Sequence, residues 1–362
     1  MEKHLSMNKQ DQIVMTSEKY SQDNLQKYLL ILGLFILLIV LILFSLSLGS
    51  TPLSFSEIFS GFFGDSEDRI RTVMFSLRLP RILTAAVVGC SLSISGCVMQ
   101  IVLQNQIASS STLGVSQGAA FGAAFAIVFF ENIVTKGNSM TSYTVSSPIT
   151  IIICAFVGGL VTTLIILALS KLAQIQAHSL VLAGVALSAL FSAGTILMQY
   201  FADDVQLASI VYWTFGDLGR TSYSQIFFMF GLMILAWGYF YFNHWNYNAL
   251  TNGDSVAKSL GVNTEFMITL SMFICALITS VSVALVGVIG FVGLIAPHIT
   301  RKLLGSNFKF LILGSGIMGS LLLVVAELTS RMILSPVILP IGALTSFFGG
   351  LMFLYLILRR TN

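Results

Sequence analysis

Charge is what this sequence has least of. Only 9% of its 362 residues are Asp, Glu, Lys or Arg, against 56% hydrophobic, and the mean hydropathy is +0.91. A soluble domain must cover its surface with more charge than that, so the composition excludes one. The net charge is +3 and no basic stripe with interleaved aromatics occurs, which sets nucleic acid aside as a partner. Cysteine is equally scarce. Cys90, Cys97, Cys154 and Cys275 all fall inside apolar runs, with neither metal spacing nor a disulfide framework, and read as small buried hydrophobes. His4, His178, His244 and His298 are scattered, none with a second ligand at helical spacing, so no metal site is expected. The phosphate-cradling pattern G-x-x-x-x-G-K-[ST] is missing, so ATP would have to be hydrolysed elsewhere. No nucleophile, base and orienting group can be read into one pocket, so no catalytic residue is assigned and no enzyme is predicted. Ionisable residues near the middle of the apolar runs are also lacking, which counts against an ion-coupled secondary transporter.

What is abundant is uncharged apolar sequence in runs of about 20 residues, the length that crosses a bilayer core. The spans read as Tyr28 to Leu48, Ile82 to Leu103, Leu113 to Phe130, Pro148 to Ser170, Ser179 to Phe201, Gln225 to Asn243, Phe308 to Ser330 and Pro340 to Leu358. Phe266 to Ile299 carries no charged side chain over 34 residues. That is too long for one span, and with Gly287, Gly290, Gly293 and Pro297 near its end it reads as two short spans folded together. The sum is an all-α polytopic membrane protein of about ten transmembrane helices. Helix is the form expected here because lipid cannot satisfy open backbone. Residues 1–27 form a polar cytoplasmic tail, expected to be mobile, and residues 28–362 the transmembrane domain. No small-residue cleavage site follows the first run, so it reads as a retained span.

Ten spans put both termini on one side. With the termini in the cytoplasm, the inner segments hold Lys3, Lys9, Lys19, Lys27, Lys171, Lys258, Arg301, Lys302, Lys309, Arg359 and Arg360, 11 of the 18 basic residues. Six of the remaining seven are arginine: Arg69, Arg71, Arg78, Arg81, Arg220 and Arg331. An outer face that favours arginine suits carboxylates, which the planar guanidinium grips in a bidentate fork. Arg69 and Arg71, beside Asp65, Glu67 and Asp68, fit headgroup contact or solvation instead. Arg78 and Arg81 bracket Leu79 and Pro80, and the proline can start the second span. In "TNGDSVAKSLGVNTEF", Thr251, Asp254 or Ser255 can cap a short helix. Val256 and Leu260 share a face of it, and Gly261 suits a left-handed stop.

Six motifs in order, "RLPR", "QNQIASSSTLGVSQGAAFGAA", "LVLAGVALSALFSAG", "VAKSLGV", "GFVGLIAPHITRKLLG" and "LPIGALTSFFGG", resemble the FecCD-type permeases from about Tyr28 to the C-terminus. These are membrane subunits of ABC importers for ferric siderophores, haem and cobalamin. The resemblance implies the type II importer fold in the cell membrane. Its partners would be a second permease subunit, identical or a close paralogue, two cytoplasmic ATPases that supply ATP and Mg, and an extracytoplasmic binding protein. It implies binding-protein docking at Arg78, Arg81 and Arg331, although Glu327, four residues before Arg331, can neutralise the last internally. The ATPase contact falls on Asp254, Ser255, Val256, Ala257, Lys258, Leu260 and Gly261. A cytoplasmic gate falls on Asn105 and Ile107, where the family's usual NPLA reads NQIA, opposed by Gln176, Ala177 and His178. Gly290, Gly293, Pro297 and His298 carry a structural motif, with His298 making a helix-end hydrogen bond. A ferric siderophore is the commonest cargo of such systems, and haem or cobalamin remains the alternative.

Overall fold

The computed structural model describes residues 9–49, 53–64, 68–134, 148–172 and 180–360, and all regular structure among them is helical. In chain order the helices are α1 Lys9–Ser47, α2 Phe55–Phe63, α3 Asp68–Arg71, α4 Leu79–Val102, α5 Val115–Val134, α6 Pro148–Leu172, α7 Leu180–Phe201, α8 Asp204–Thr214, α9 Tyr223–Phe242, α10 His244–Thr251, α11 Asp254–Ser259, α12 Thr264–Val286, α13 Val292–Leu304, α14 Phe308–Met332 and α15 Ile341–Arg360. A π-helical stretch, Thr72–Arg78, joins α3 to α4, and a 3-10 turn, Leu218–Arg220, lies between α8 and α9. α1 begins at Lys9, so the residues from Lys9 to Lys27, read from the sequence as a tail, are helical.

Among the described residues, seven helical stretches are long and apolar enough to cross a membrane: Gln22–Ser47, Asp68–Val102, Pro148–Leu172, Leu180–Phe201, Tyr223–Phe242, Thr264–Val286 and Phe308–Met332. Val115–Phe130 and Ile341–Tyr355 are shorter apolar helices, and α13 makes a tenth element of the bundle. The helices alternate in direction. One end of the bundle gathers the C-terminus of α1, the start of α4, α8 and the end of α14. The other gathers the loop after α4, α10, α11 and the start of α14. These are called below the arginine end and the α11 end.

The charge-free run from Phe266 corrects the expectation of two short spans. α12 is a full span of 23 residues, and α13 is a helix of only 13. The chain turns at Gly287, whose φ of 83° suits glycine, and a Cβ there would meet the carbonyl oxygen of Trp213 at 2.5 Å. It then dips into the bundle before α13 starts beside Leu92 and Ser93, halfway along α4. Phe291 takes a left-handed φ of 65° at this point, an unusual conformation for an aromatic residue.

α13 can begin inside the bundle because α4 receives its backbone. Every residue from Ser91 to Leu103 is buried. Pro297 has no N–H to offer the carbonyl of Gly293, one turn earlier. That oxygen lies over Gly96 in the space a side chain would take. The Gln100 amide donates to the carbonyl of Leu294 at 3.3 Å, and its oxygen accepts from Arg301 Nη2 at 3.2 Å. Two turns before Gly96, on the same side of α4, Gly89 and Gly319 of α14 stand so close that a Cβ on either would overlap the other's carbonyl oxygen. Membrane helices lack a hydrophobic drive toward each other, so close backbone contact of this kind is what holds them.

Gly96→Leu should therefore lower the thermal unfolding midpoint of the permease in detergent, by the equivalent of about 1–3 kcal/mol of overpacking. Gly231→Leu on α9, where a Cβ would meet nothing within 4 Å, should leave the midpoint unchanged or raise it.

Candidate functional site

At the arginine end Pro80 stands in the first turn of α4, as its sequence suggested, and the π-helical stretch before it carries helical backbone back to Asp68. The Leu79 N–H reaches back five residues to the carbonyl of Met74. Pro80 cannot make the next bond of that series, to Phe75, and the hydroxyl of Tyr223 on α9 donates to the Phe75 carbonyl instead. Crossing Pro80 in this way places Arg78 and Arg81 on the wall of a cavity of about 380 Å³, which Arg331 also lines. The three arginines singled out in the sequence are thus brought together.

Two of them close off α1. The last turn of a helix leaves its carbonyls without partners and carries the negative end of the dipole. Arg78 Nη1 donates to the carbonyl of Leu46 at 2.6 Å, and Arg331 donates to those of Leu48 and Ser45, both at 3.1 Å. Arg331 also pairs with Glu327, Nε to Oε1 at 2.6 Å, with side chains only 8% and 2% exposed. Arg78 is 5% exposed. The internal partner that the Glu327 spacing allowed is therefore present.

Arg81 is more open, with 20% of its side chain exposed, and pairs with Asp217 at 2.7 Å. Asp217 also accepts the Gly219 N–H at 2.9 Å and lies 3.9 Å from Arg220. Arg220 donates to the carbonyl of Tyr212, and burial pushes its guanidinium below the usual arginine range. Asp217 and Tyr223 are the partners that reading the sequence missed. The Asp217-x-Gly219 spacing signals the side-chain turn, but nothing local ties it to Arg81. Arg81 and Arg331 thus each pair with a carboxylate, Asp217 and Glu327, Arg220 lies beside Asp217, and Arg78 is held by backbone carbonyls.

At the α11 end, α4 runs into an ordered loop. Gln104 adopts a φ of 48°, and the Asn105 side chain accepts the N–H of Ile107 at 3.0 Å. Ser109 and Thr112 bond each other's backbone, which carries the chain to α5 as a compact turn. Ile107 is 47% exposed. Asn105 lines a polar cavity of about 430 Å³ with Gln100, Gln104, Asn252 and Arg301. The opposing residues Gln176, Ala177 and His178 lie outside the described residues.

The motif between α9 and α12 does fold into a short helix, α11, but none of the expected side chains caps it. Gly253, with φ 110°, occupies the cap position and no side chain bonds the first turn. Gly261, with φ 83°, supplies the left-handed stop. Ala257 is fully buried beneath the helix, while Val256 is 41% and Leu260 68% exposed. Asp254 and Lys258 pair at 2.7 Å, and hydrogen bonds from Lys258 and Thr264 hold the carboxyl below the usual carboxylate range. Ser255 is exposed. α10, next to α11, is tied to α14. The Asn248 side chain accepts the Phe308 N–H at 2.8 Å, and the rings of Tyr247 and Phe308 stack at 4.4 Å. Gly290 lies before α13, and a Cβ on it would meet Ser346 Oγ at 3.0 Å. His298 is half-buried in the middle of α13, away from a helix end. Among the described residues, no three His, Cys, Asp or Glu side chains gather as metal ligands.

Comparison with known proteins places these two ends in context. The profile of the FecCD transport family matches residues 37–359. An ABC transporter permease protein of Methanocaldococcus jannaschii is 44% identical, over 94% of this chain and 97% of the relative. A hemin transport system permease protein of Yersinia pestis is 34% identical, over 91% of this chain and 96% of the relative. Among solved structures, an inward-facing metal-chelate type ABC transporter shares the fold with a TM-score of 0.78 and 30% identity, covering 91% of this chain and 99% of that one.

The Arg331–Glu327 pair makes a direct prediction. Arg331→Ala leaves a buried carboxylate uncompensated and should cost about 3–5 kcal/mol of stability. The double change Arg331→Ala with Glu327→Ala should cost less than the single one. Thermal unfolding of the wild type, both single variants and the double variant in detergent gives the coupling energy directly.

Proposed function

Because the chain belongs to the FecCD transport family, whose profile spans residues 37–359, we propose that it is the permease subunit of an ABC importer carrying a ferric siderophore, with haem or cobalamin as the alternative cargo. The family is one of membrane permeases for iron chelates, haem and cobalamin. The observation that carries the mechanism is α11. It is too short to be stable alone, is anchored by buried Ala257, and presents Val256 and Leu260 to solvent at one end of the bundle. Such a helix suits insertion into an apolar cleft on an ATPase, and the chain has no phosphate loop of its own.

In this reading the α11 end faces the cytoplasm, where Lys27, Lys171, Lys258, Arg301, Lys302 and Lys309 gather, and both termini lie there. The arginine end faces outward and docks a binding protein through its arginines. Because Arg78 and Arg331 are held against α1, they act chiefly through their field, and Arg81 is the one placed for contact. Two ATPases bound below a pair of permeases, identical or close paralogues, hydrolyse ATP with Mg. Movement of α11 passes to α10, then through Asn248 and the Tyr247–Phe308 stack to α14, whose backbone touches α4. Asn105 and Ile107, where α4 ends, form one side of the cytoplasmic gate.

Val256→Asp together with Leu260→Asp should leave the permease folded and remove the ATPase on copurification, because charged side chains cannot enter an apolar cleft cheaply. Size-exclusion chromatography of the variant checks the fold, and its ATPase content checks the site. Normal copurification would place the coupling surface elsewhere.

A further inference from the structure

The polar cavity at the α11 end, of about 430 Å³, holds a cation without an anion to match it. Among the described residues that line it none is Asp or Glu, and the charged one is Arg301, in the last turn of α13. The ion pairs among the described residues do not include Arg301. Of its five N–H donors, one has an acceptor among those residues: Nη2 donates to the Gln100 side-chain oxygen at 3.2 Å. That amide is oriented from its other end, because its nitrogen donates to the carbonyl of Leu294. Gln100 thus holds the guanidinium from one side and leaves the rest of the fork to the cavity. The helix dipole favours a cation in this last turn but supplies no further hydrogen bond.

Most of the other lining residues are polar and belong to the loops. Gln104, Gln106, Thr251, Asn252 and Ser306 are exposed, so the cavity opens on the same face of the bundle as α11. Gly253, at the cap position of α11, also lines it. Asp254 stands next in the chain, but its carboxylate is already paired with Lys258 at 2.7 Å. The exposed apolar pair, Val256 and Leu260, follows Gly253 by one and two turns, about 5 and 11 Å along the helix. A subunit that covers that pair reaches the mouth of the cavity.

We propose that this cavity receives a carboxylate side chain of the ATPase subunit that seats on α11, with Arg301 as its bidentate partner. This rests on the reading of α11 as the ATPase contact, to which it adds a second, charged anchor. A single cation balances the single charge of a carboxylate, whereas a phosphate group carries roughly −1.5 to −2 at neutral pH. The amides and hydroxyls of the lining can donate to the carboxylate without adding charge. Seating the ATPase shuts the site off from water, where an arginine–carboxylate fork is strongest. Through Arg301 and Gln100 the carboxylate also takes hold of α13 and α4, in addition to the path through α10 and α14.

The test is the affinity of the purified ATPase for the full-length permease in lipid nanodiscs. Arg301→Gln should weaken binding roughly tenfold, and Arg301→Lys, which keeps the charge but not the fork, should weaken it less. Ser306→Asp puts a competing carboxylate into the cavity and should weaken binding by a similar factor, whereas Ser306→Lys should not. A purely structural role for Arg301 would give no such difference between the two Ser306 variants. In Arg301→Glu, changing the permease-facing acidic residues of the ATPase to Arg one at a time should restore affinity at one position, as a direct pair requires. Full affinity in Arg301→Gln, equal behaviour of the two Ser306 variants, or no rescue at any position would each overturn the proposal. So would saturable binding of inorganic phosphate to the permease alone that Arg301→Gln abolishes, since the cavity would then serve a free anion. If Arg301→Gln fails to fold, the two Ser306 variants decide the matter. Val256→Asp with Leu260→Asp tests the α11 reading separately. ATPase retained by that double variant refutes the reading of α11, while ATPase lost there but bound at full affinity by Arg301→Gln refutes only the role of the cavity.

Discussion

The backbone of α4 touches two other backbones with no side chain between them, and much of the bundle follows from those contacts. Gly89 meets Gly319 on α14, and Gly96 meets Gly293 on α13. These contacts, two turns apart on one side of α4, accompany its burial from Ser91 to Leu103, in a medium that gives apolar residues little reason to be buried. The same contacts explain why α13 can be half a span. A helix end inside a bilayer needs partners for its backbone, and here Gln100 and the face of Gly96 supply them. Pro297 belongs to this arrangement because it leaves the Gly293 carbonyl free to lie over Gly96.

The two ends of the bundle treat charge in opposite ways. At the arginine end the cations are fixed. Arg78 and Arg331 satisfy the last carbonyls of α1, and Glu327 and Asp217 each hold an arginine in place. At the α11 end the ion pair of Asp254 with Lys258 lies on the surface, and the apolar pair Val256 and Leu260 is left uncovered. That surface gains by burial against something else.

Much of this was legible in the sequence, for reasons that can be named. Uncharged runs of span length mark helices in lipid whatever packs against them, so the main spans could be placed within a few residues. Gly261 marked the end of α11 because a left-handed stop needs glycine. Three features were not legible. The division between α12 and α13 falls in a run without charge, and the turn depends on Phe291 adopting a conformation that only its packing against Gly349 and α15 would favour. Helical backbone continues ahead of Pro80 because Tyr223, far along the chain, replaces the missing donor for Phe75. Arg81 is paired by Asp217, which shares no local pattern with it. Each of these is a tertiary contact that overrides what its own segment suggests. The N-cap of α11 differs in kind: three residues could have capped it, and a glycine with positive φ does so instead.

The central claim is that this chain is a conduit that moves its cargo only when a separate ATPase drives it. Uptake of radiolabelled iron by proteoliposomes measures that directly, with the chain alone and then with its ATPase and binding protein. The iron is supplied as a ferric siderophore, or as haem if the alternative cargo holds. The chain alone should neither hydrolyse ATP nor accumulate chelate, under any ion gradient, and both activities should appear with the complete assembly. Accumulation by the chain alone, driven by a proton or sodium gradient, would contradict it.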